Sequence, residues 1–207
     1  MALSDYAELK AEVISFTGRD DLSSKFDTFL KLGETAIYSN DDKPLRLSYF
    51  ETSTTLQTVG GTDEVALPSD YLQLRSLKIE VGGSECELRF NAPNALPRQG
   101  AGLPTAYTII GRNIVFNFTP DGVYDLALKY FAKPTDLDAT NNVNSLLTNN
   151  PDIYFYACMF SVYDYTTELQ EAENYYGKML RSIRGAIKND MKGSITNASA
   201  RYRGWTP

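Results

Sequence analysis

The sequence predicts an α+β fold. Its expected form is an antiparallel helical bundle of two N-terminal and two C-terminal helices, with a small antiparallel β subdomain inserted between the pairs and an extended C-terminal arm. Three observations carry this expectation. Apolar residues recur at spacings of three and four up to Tyr38 and again from Ile153 to Ile187. Between these stretches the period falls to two, and the short alternating runs are joined by turns instead of crossover helices. Beyond Met191 the apolar period stops. The expected divisions are residues 1–44 and 149–191 for the helices, 45–148 for the β-rich insert and 192–207 for the arm.

The first helix opens at Ser4 or Asp5, with Asp5 and Glu8 at capping-box spacing. Tyr6, Leu9, Val13 and Phe16 form its apolar face, and Gly18 is placed to end it. A second helix starts between Asp21 and Ser24 and buries Leu22, Phe26, Phe29, Leu30 and Ile37. It ends before the turn-forming run from Ser39 to Pro44. A short connection between two amphipathic helices implies that they run antiparallel.

Strand signals follow. Residues 64–67 form a short strand ended by Pro68. Leu72 and Leu74 alternate with polar residues, and then Leu77, Ile79 and Val81 take over the alternation. That one-residue switch near Arg75–Ser76 predicts a bulge or bend. Gly82–Gly83 supplies a hairpin turn into a strand over Cys86–Phe90. Residues 91–104, with Pro93, Pro97, Gly100, Gly102 and Pro104, are a loop. A second hairpin joins Tyr107–Ile110 to Ile114–Phe118, and a last strand runs through Leu126, Leu128 and Tyr130.

Asn149 and Asn150 precede Pro151, a favoured start for a helix. Ile153, Tyr156, Ala157, Phe160 and Tyr163 make one stripe. Leu169, Ala172, Tyr176, Met179, Ile183, Ala186 and Ile187 make a second. The polar patch between them predicts two helices, or one bent near Thr166–Leu169. The arm is small and polar until Arg201, Tyr202, Arg203 and Trp205. Its composition buries too little surface to hold itself folded, whereas a Trp flanked by two Arg is the residue set enriched at binding hot spots.

The composition narrows the chemistry. A chain of 207 residues can bury a sizeable core. It has no histidine, so the commonest general base and metal ligand are missing. Cys86 and Cys158 lie too far apart for a zinc pattern and are too few for a disulfide framework. No cofactor or metal site is expected. The N-terminus lacks the apolar segment of a secretory signal, and no run approaches the length of a membrane span. The expectation is a soluble chain made in the cytosol without a membrane anchor.

Charge is unevenly spread. Residues 178–207 carry seven basic side chains against the single acid Asp190, a net +6, while the whole chain carries −6, leaving −12 on residues 1–177. Such polarity favours head-to-tail or ring association, a basic end meeting an acidic neighbour. A nucleic-acid reading lacks a motif and is opposed by the acidic remainder. The carboxylate pairs Asp41–Asp42, Asp63–Glu64 and Asp136/Asp138 read as turn formers before they read as glycosidic acids and bases. Gly60–Gly61 and Gly82–Gly83 do not open helices, so they are not phosphate loops. Ser69 has neither the setting nor the histidine of a hydrolase nucleophile. No enzyme activity is expected.

Four stretches in order carry a resemblance. Residues 66–79, ALPSDYLQLRSLKI, resemble the LPxDYLxLRSL strand of short-tailed phage (podovirus) head-to-tail adaptors, the tail tubular protein A family. PTAYTIIG at 104–111 with IVFNFTP at 114–120 is similar to their PxxYxIxGxxIxxxP hairpin, and LALKYFAKP at 126–134 resembles their LxxxYYAxPxxL strand. NPDIYFY at 150–156, with Ala172 and Tyr176 beyond, resembles the following helices. At residues 32–37 an AExRI pattern is expected, and Gly33 and Thr35 depart from it.

The resemblance implies a structural virion protein of the neck and tail. It would form a ring of about twelve copies that docks beneath the portal protein, joins it to the tail nozzle and lines a channel through which DNA passes without sequence-specific binding. Arg181, Arg184, Lys188, Lys192, Arg201, Tyr202, Arg203 and Trp205 are the candidate portal-binding residues, the arm reaching up the portal. Pro93, Asn94, Pro97 and Arg98 are candidates for contact with the nozzle or a neighbouring copy. The alternatives are a tail-associated cell-wall hydrolase built on Asp136 and Asp138, and a head-completion or stopper protein of a long-tailed phage.

Overall fold

The computed structural model describes the backbone of residues 3–39 and 45–202, and side chains as far as Lys192. The fold is mixed α+β, with five α-helices and two mostly antiparallel sheets among the described residues. It divides into two compact units, Met1–Tyr49 with Pro134–Pro207, and Phe50–Lys133.

The first unit holds the helices. α1 spans Tyr6–Thr17; the Asp5 carboxylate accepts the Glu8 N–H at 2.8 Å, and Gly18 ends the helix at φ +62°. Glu8 reaches back to the N–H of Ser4 at 2.8 Å, so the capping box closes one residue earlier than Asp5. Tyr6, Leu9, Val13 and Ile14 are buried, whereas Phe16, expected on that face, is 57 % exposed. A 3₁₀ turn, Asp20–Lys25, leads into α2, Phe26–Tyr38, and Leu22, Phe26, Phe29, Leu30 and Ile37 are all buried.

After a five-residue helix α3, Ser145–Asn149, comes α4, Pro151–Tyr165. α4 packs against α1, α2, α3 and α5, the last spanning Leu169–Tyr202. Covered on so many sides, α4 buries residues around much of its circumference, including Tyr154, Cys158, Met159 and Val162 as well as Ile153 and Ala157. Tyr156, Phe160 and Tyr163 of the expected stripe are only half-buried; Tyr163 stacks on Tyr175 of α5, while Tyr156 and Phe160 meet Tyr175 and Tyr176 at a tilt.

Between α4 and α5 the chain breaks, as the polar patch predicts. Thr167 takes φ +63°, and the Glu168 N–H returns to the Tyr163 carbonyl at 3.0 Å. α5 then buries Ala172, Tyr175, Met179, Ile183 and Ala186, leaving the expected core residue Leu169 65 % exposed in its first turn. The extended arm predicted from residue 192 is corrected: α5 continues as helix through Tyr202. Between Lys192 and Tyr202 there is no proline, and once a helix is nucleated each added residue needs little further support.

The second unit holds the strands. The expected single antiparallel sheet is instead two four-stranded sheets, and one of their pairings is parallel. The first sheet comprises β1, Glu51–Gln57; β3, Tyr71–Val81; β4, Ser84–Glu87; and β8, Asp125–Ala132, in the order β1-β8-β3-β4. The second comprises β2, Glu64–Ala66; β5, Arg89–Phe90; β6, Ala106–Ile110; and β7, Asn113–Phe116, in the order β2-β7-β6-β5.

β3 carries register shifts against β8 between Tyr71 and Gln73 and between Leu74 and Ser76, which place the predicted bulge. Gly82 and Gly83, at φ +58° and +80°, turn β3 into β4. The strand expected over Cys86–Phe90 is split. It pairs with β3 up to Glu87, the Leu88 N–H still reaches the Leu77 carbonyl at 3.0 Å, and Arg89 begins a parallel pairing with β6. The strand thus changes sheets at Leu88, whose side chain joins Leu67, Leu77, Ile79, Tyr107, Ile114, Phe116, Leu126, Leu128 and Tyr130 in the core of this unit.

Candidate partner-binding surfaces

α5 sorts its side chains by period. Ala172, Tyr175, Met179, Ile183 and Ala186 point into the helical unit, and Arg181, Arg184, Lys188 and Lys192, spaced by three and four, are exposed on the opposite side. Lys178 belongs elsewhere: it is half-buried, with its ammonium 4.0 Å from the Tyr175 ring centroid. Asp190, the one acid in this basic stretch, accepts hydrogen bonds from the backbone N–H and hydroxyl of Ser48. Four of the predicted portal-binding residues therefore share one helix face. The side chains of Arg201 and Tyr202, and Arg203 and Trp205 altogether, lie outside the described residues.

The other predicted surface is the segment after β5. Pro93 and Asn94 sit in a 3₁₀ turn, Pro93–Ala95, and both are exposed, as are Pro97 and Arg98. The segment is more firmly held than its glycines and prolines suggest. The N–H groups of Gln99 and Gly102 donate to the carbonyls of Asn117 and Thr119 at 2.8 and 2.9 Å, and Ala101 bridges to Thr119. Arg98 is ion-paired to Asp63. Pro93 and Asn94 stay exposed in their turn ahead of this strap, while Arg98 is engaged within its own unit.

A family model described as SU10 adaptor protein matches residues 4–203, which takes in both units and the whole of α5. The chain belongs to the SU10 adaptor protein family. A search of curated proteins by sequence finds no match. As an SU10 adaptor the protein is a structural component of a phage, a head-to-tail adaptor placed in the virion neck with portal and tail components as its partners.

The carboxylates of this SU10 adaptor fit structural work. The Asp138 carboxylate accepts the N–H groups of Thr140 and Asn141, both at 2.6 Å, and those backbone bonds hold it below the usual carboxylate range. This is the turn geometry read from the sequence. Glu64 accepts from the Asn113 side chain at 3.0 Å, and Asp63 holds Arg98; Asp41 and Asp42 lie outside the described residues. Among the described residues no group of three or more His, Cys, Asp or Glu could hold a metal ion, and no helix is long and apolar enough to cross a membrane.

Sequence reasoning missed one polar centre. Glu34, 4 % exposed on α2, accepts the Tyr154 hydroxyl at 3.0 Å and the Leu137 N–H at 3.1 Å. The Asn144 side chain donates to the Tyr154 oxygen at 2.7 Å and to the Thr135 carbonyl at 2.9 Å, and accepts the Leu147 N–H that opens α3. The network ties residues 135–147 to α2 and α4. A signal was present: Glu34 lies four residues after Leu30 and three before Ile37, on the buried face of its helix. Burial pushes the thiol of Cys158 upward, with Glu34 adding to the shift, so this cysteine is inert.

Proposed function

We propose that this SU10 adaptor forms a ring of about twelve copies beneath the portal of a short-tailed phage, joining the portal to the tail nozzle and lining part of the DNA channel. The observation that carries this reading is the α5 face of Arg181, Arg184, Lys188 and Lys192, exposed together and backed by a buried apolar stripe. Such a face suits carboxylates on a partner and steers it into register. Arg201, Tyr202, Arg203 and Trp205 are further candidates for portal contact, and Pro93, Asn94, Pro97 and Arg98 for contact with the nozzle or neighbour. The net −12 of residues 1–177 favours free passage of DNA, since like charge opposes adhesion to the wall.

Reversal of the face, Arg181→Glu with Arg184→Glu, Lys188→Glu and Lys192→Glu, tests the reading. Gradient co-sedimentation with portal protein should show binding reduced at least ~10-fold at physiological salt with a melting temperature close to that of the parent. Binding equal to the parent at matched salt contradicts the assignment of this face to the portal.

A further inference from the structure

Within the strand unit, one sheet edge is recessed and another is unguarded. β8 covers one edge of β3 from Tyr71 to Ile79, but β4 and the Leu88 N–H cover the other only over Leu77–Val81. Upstream of Leu77 that second edge opens on a cleft of about 480 Å³ between β3 and the strands β5 and β6. The consecutive residues Leu74, Arg75, Ser76 and Leu77 all line it. The register shift between Leu74 and Ser76 breaks the alternation there, and the cleft follows the edge of β3 through this irregular stretch. Gln73 also lines it, and its side-chain oxygen is buried without a hydrogen-bond partner among the described residues.

At the other end of the same sheet lies β1, whose outer edge pairs with no strand among the described residues. Edge strands are ordinarily protected by charge, proline or a bulge. The opposite edge strand, β4, carries Glu85 and Glu87. β1 reads ETSTTLQ, with no proline and no charge from Thr52 to Gln57, and its register against β8 is unbroken. It is seven residues long, enough to span the open stretch Tyr71–Ser76.

We infer that β1 of one copy adds as a strand to the open edge of β3 in the next copy. β1 and β3 are each antiparallel to β8, hence parallel to one another. A rotation about an axis along the strands therefore brings β1 of the next copy beside β3 in parallel pairing and repeats the contact head to tail. Such a contact is heterologous and closes only as a ring. One strand pairing buries on the order of 1,000 Å², the low end for a specific interface, so an isolated pair is weak and the closed ring, where every copy makes two contacts, is firm. The inference rests on the ring reading only for that closure.

Disulfide trapping tests it on the full chain, with Cys86→Ser removing the exposed native thiol. Ser76→Cys is combined in turn with Ser53→Cys, Thr54→Cys and Thr55→Cys, which span both faces of β1 whatever the register. Oxidation is carried out at high protein concentration and again with portal protein present. The expected result is a ladder of three or more linked copies from at least one pair, lost under reduction and lost when either cysteine is omitted. Monomers throughout overturn the pairing, as do dimers formed by the Thr54→Cys single variant, which would show β1 meeting β1. A ring seen by native mass spectrometry without the cross-link overturns the pairing and leaves the ring reading standing. A ladder from chains that never bind portal does the reverse.

Discussion

Gly33 of α2 lies against the backbone of Ala157 in α4, where a Cβ on Gly33 would meet the Ala157 carbonyl carbon at 3.1 Å. The departure of this segment from the AExRI pattern thus has a local cause: α2 and α4 approach closely, and a Cβ fits between them only if the Ala157 backbone gives by a few tenths of an ångström. Gly33→Val adds three carbons at this crossing, and overpacking of this kind should lower stability by about 1–3 kcal/mol. Urea denaturation checks it. An unchanged midpoint would mean that the crossing relaxes freely.

Tyr154 is the hub of the buried polar network, donating to Glu34 and accepting from Asn144. Tyr154→Phe keeps the ring's packing and withdraws the hydroxyl from both partners. A buried group left short of a partner costs about 1–3 kcal/mol. Urea denaturation should show a loss of that size, and hydrogen exchange should quicken around residues 135–147. A neutral outcome on both would place water in the hydroxyl's stead.

Alkaline pH should unfold the protein through its tyrosines. Burial, the largest cause in each case, pushes the phenols of Tyr6 and Tyr107 up to about 12, and raises those of Tyr38, Tyr49 and Tyr154 as well. In the unfolded chain these groups titrate near 10. Above that pH the unfolded state loses protons that the folded state keeps, so unfolding stability falls as pH rises toward the folded values and is undiminished by this set below it. Thermal melts from pH 8 to about 11.5, read with phenolate absorbance, should show a flat region and then a decline above about pH 10. Phenolate absorbance that rises fully before the fold melts would contradict the burial.

Thr167 holds a left-handed backbone at the α4–α5 junction, with φ +63°. A β-branched residue is poorly suited to that region, and glycine adopts it freely. Thr167→Gly relieves roughly 1–2 kcal/mol of local strain and gives back part of it through a freer unfolded chain, for a net gain of about 0.5–1 kcal/mol. Calorimetry checks the sign; destabilisation would show that the Thr167 side chain holds the junction.

Much of the fold was legible because periodicity is local. The core positions of α2, the break before Leu169, the bulge near Arg75 and the Gly82–Gly83 hairpin were each written within a few residues. What escaped depends on distant partners. β1 carries no apolar alternation, since its edge position leaves ETSTTLQ largely exposed, and only pairing with β8 makes it a strand. α3 is five residues long and depends on the Asn144 cap. Leu88 gives no local sign that the chain changes sheets there. Of the candidate portal-binding set, the shared face of Arg181, Arg184, Lys188 and Lys192 followed from helical spacing. The tight strap formed by residues 97–103 could not be read from its glycines and prolines, because its bonds go to Asn117 and Thr119 in a later part of the chain.

Assembly of the chain as a ring on a portal is checked by native mass spectrometry of the full chain, alone and mixed with the portal protein of the same phage. The expected spectrum holds a species in which portal carries a full ring of about twelve copies, while the chain alone stays largely monomeric. A chain that remains monomeric in the presence of intact portal would contradict it.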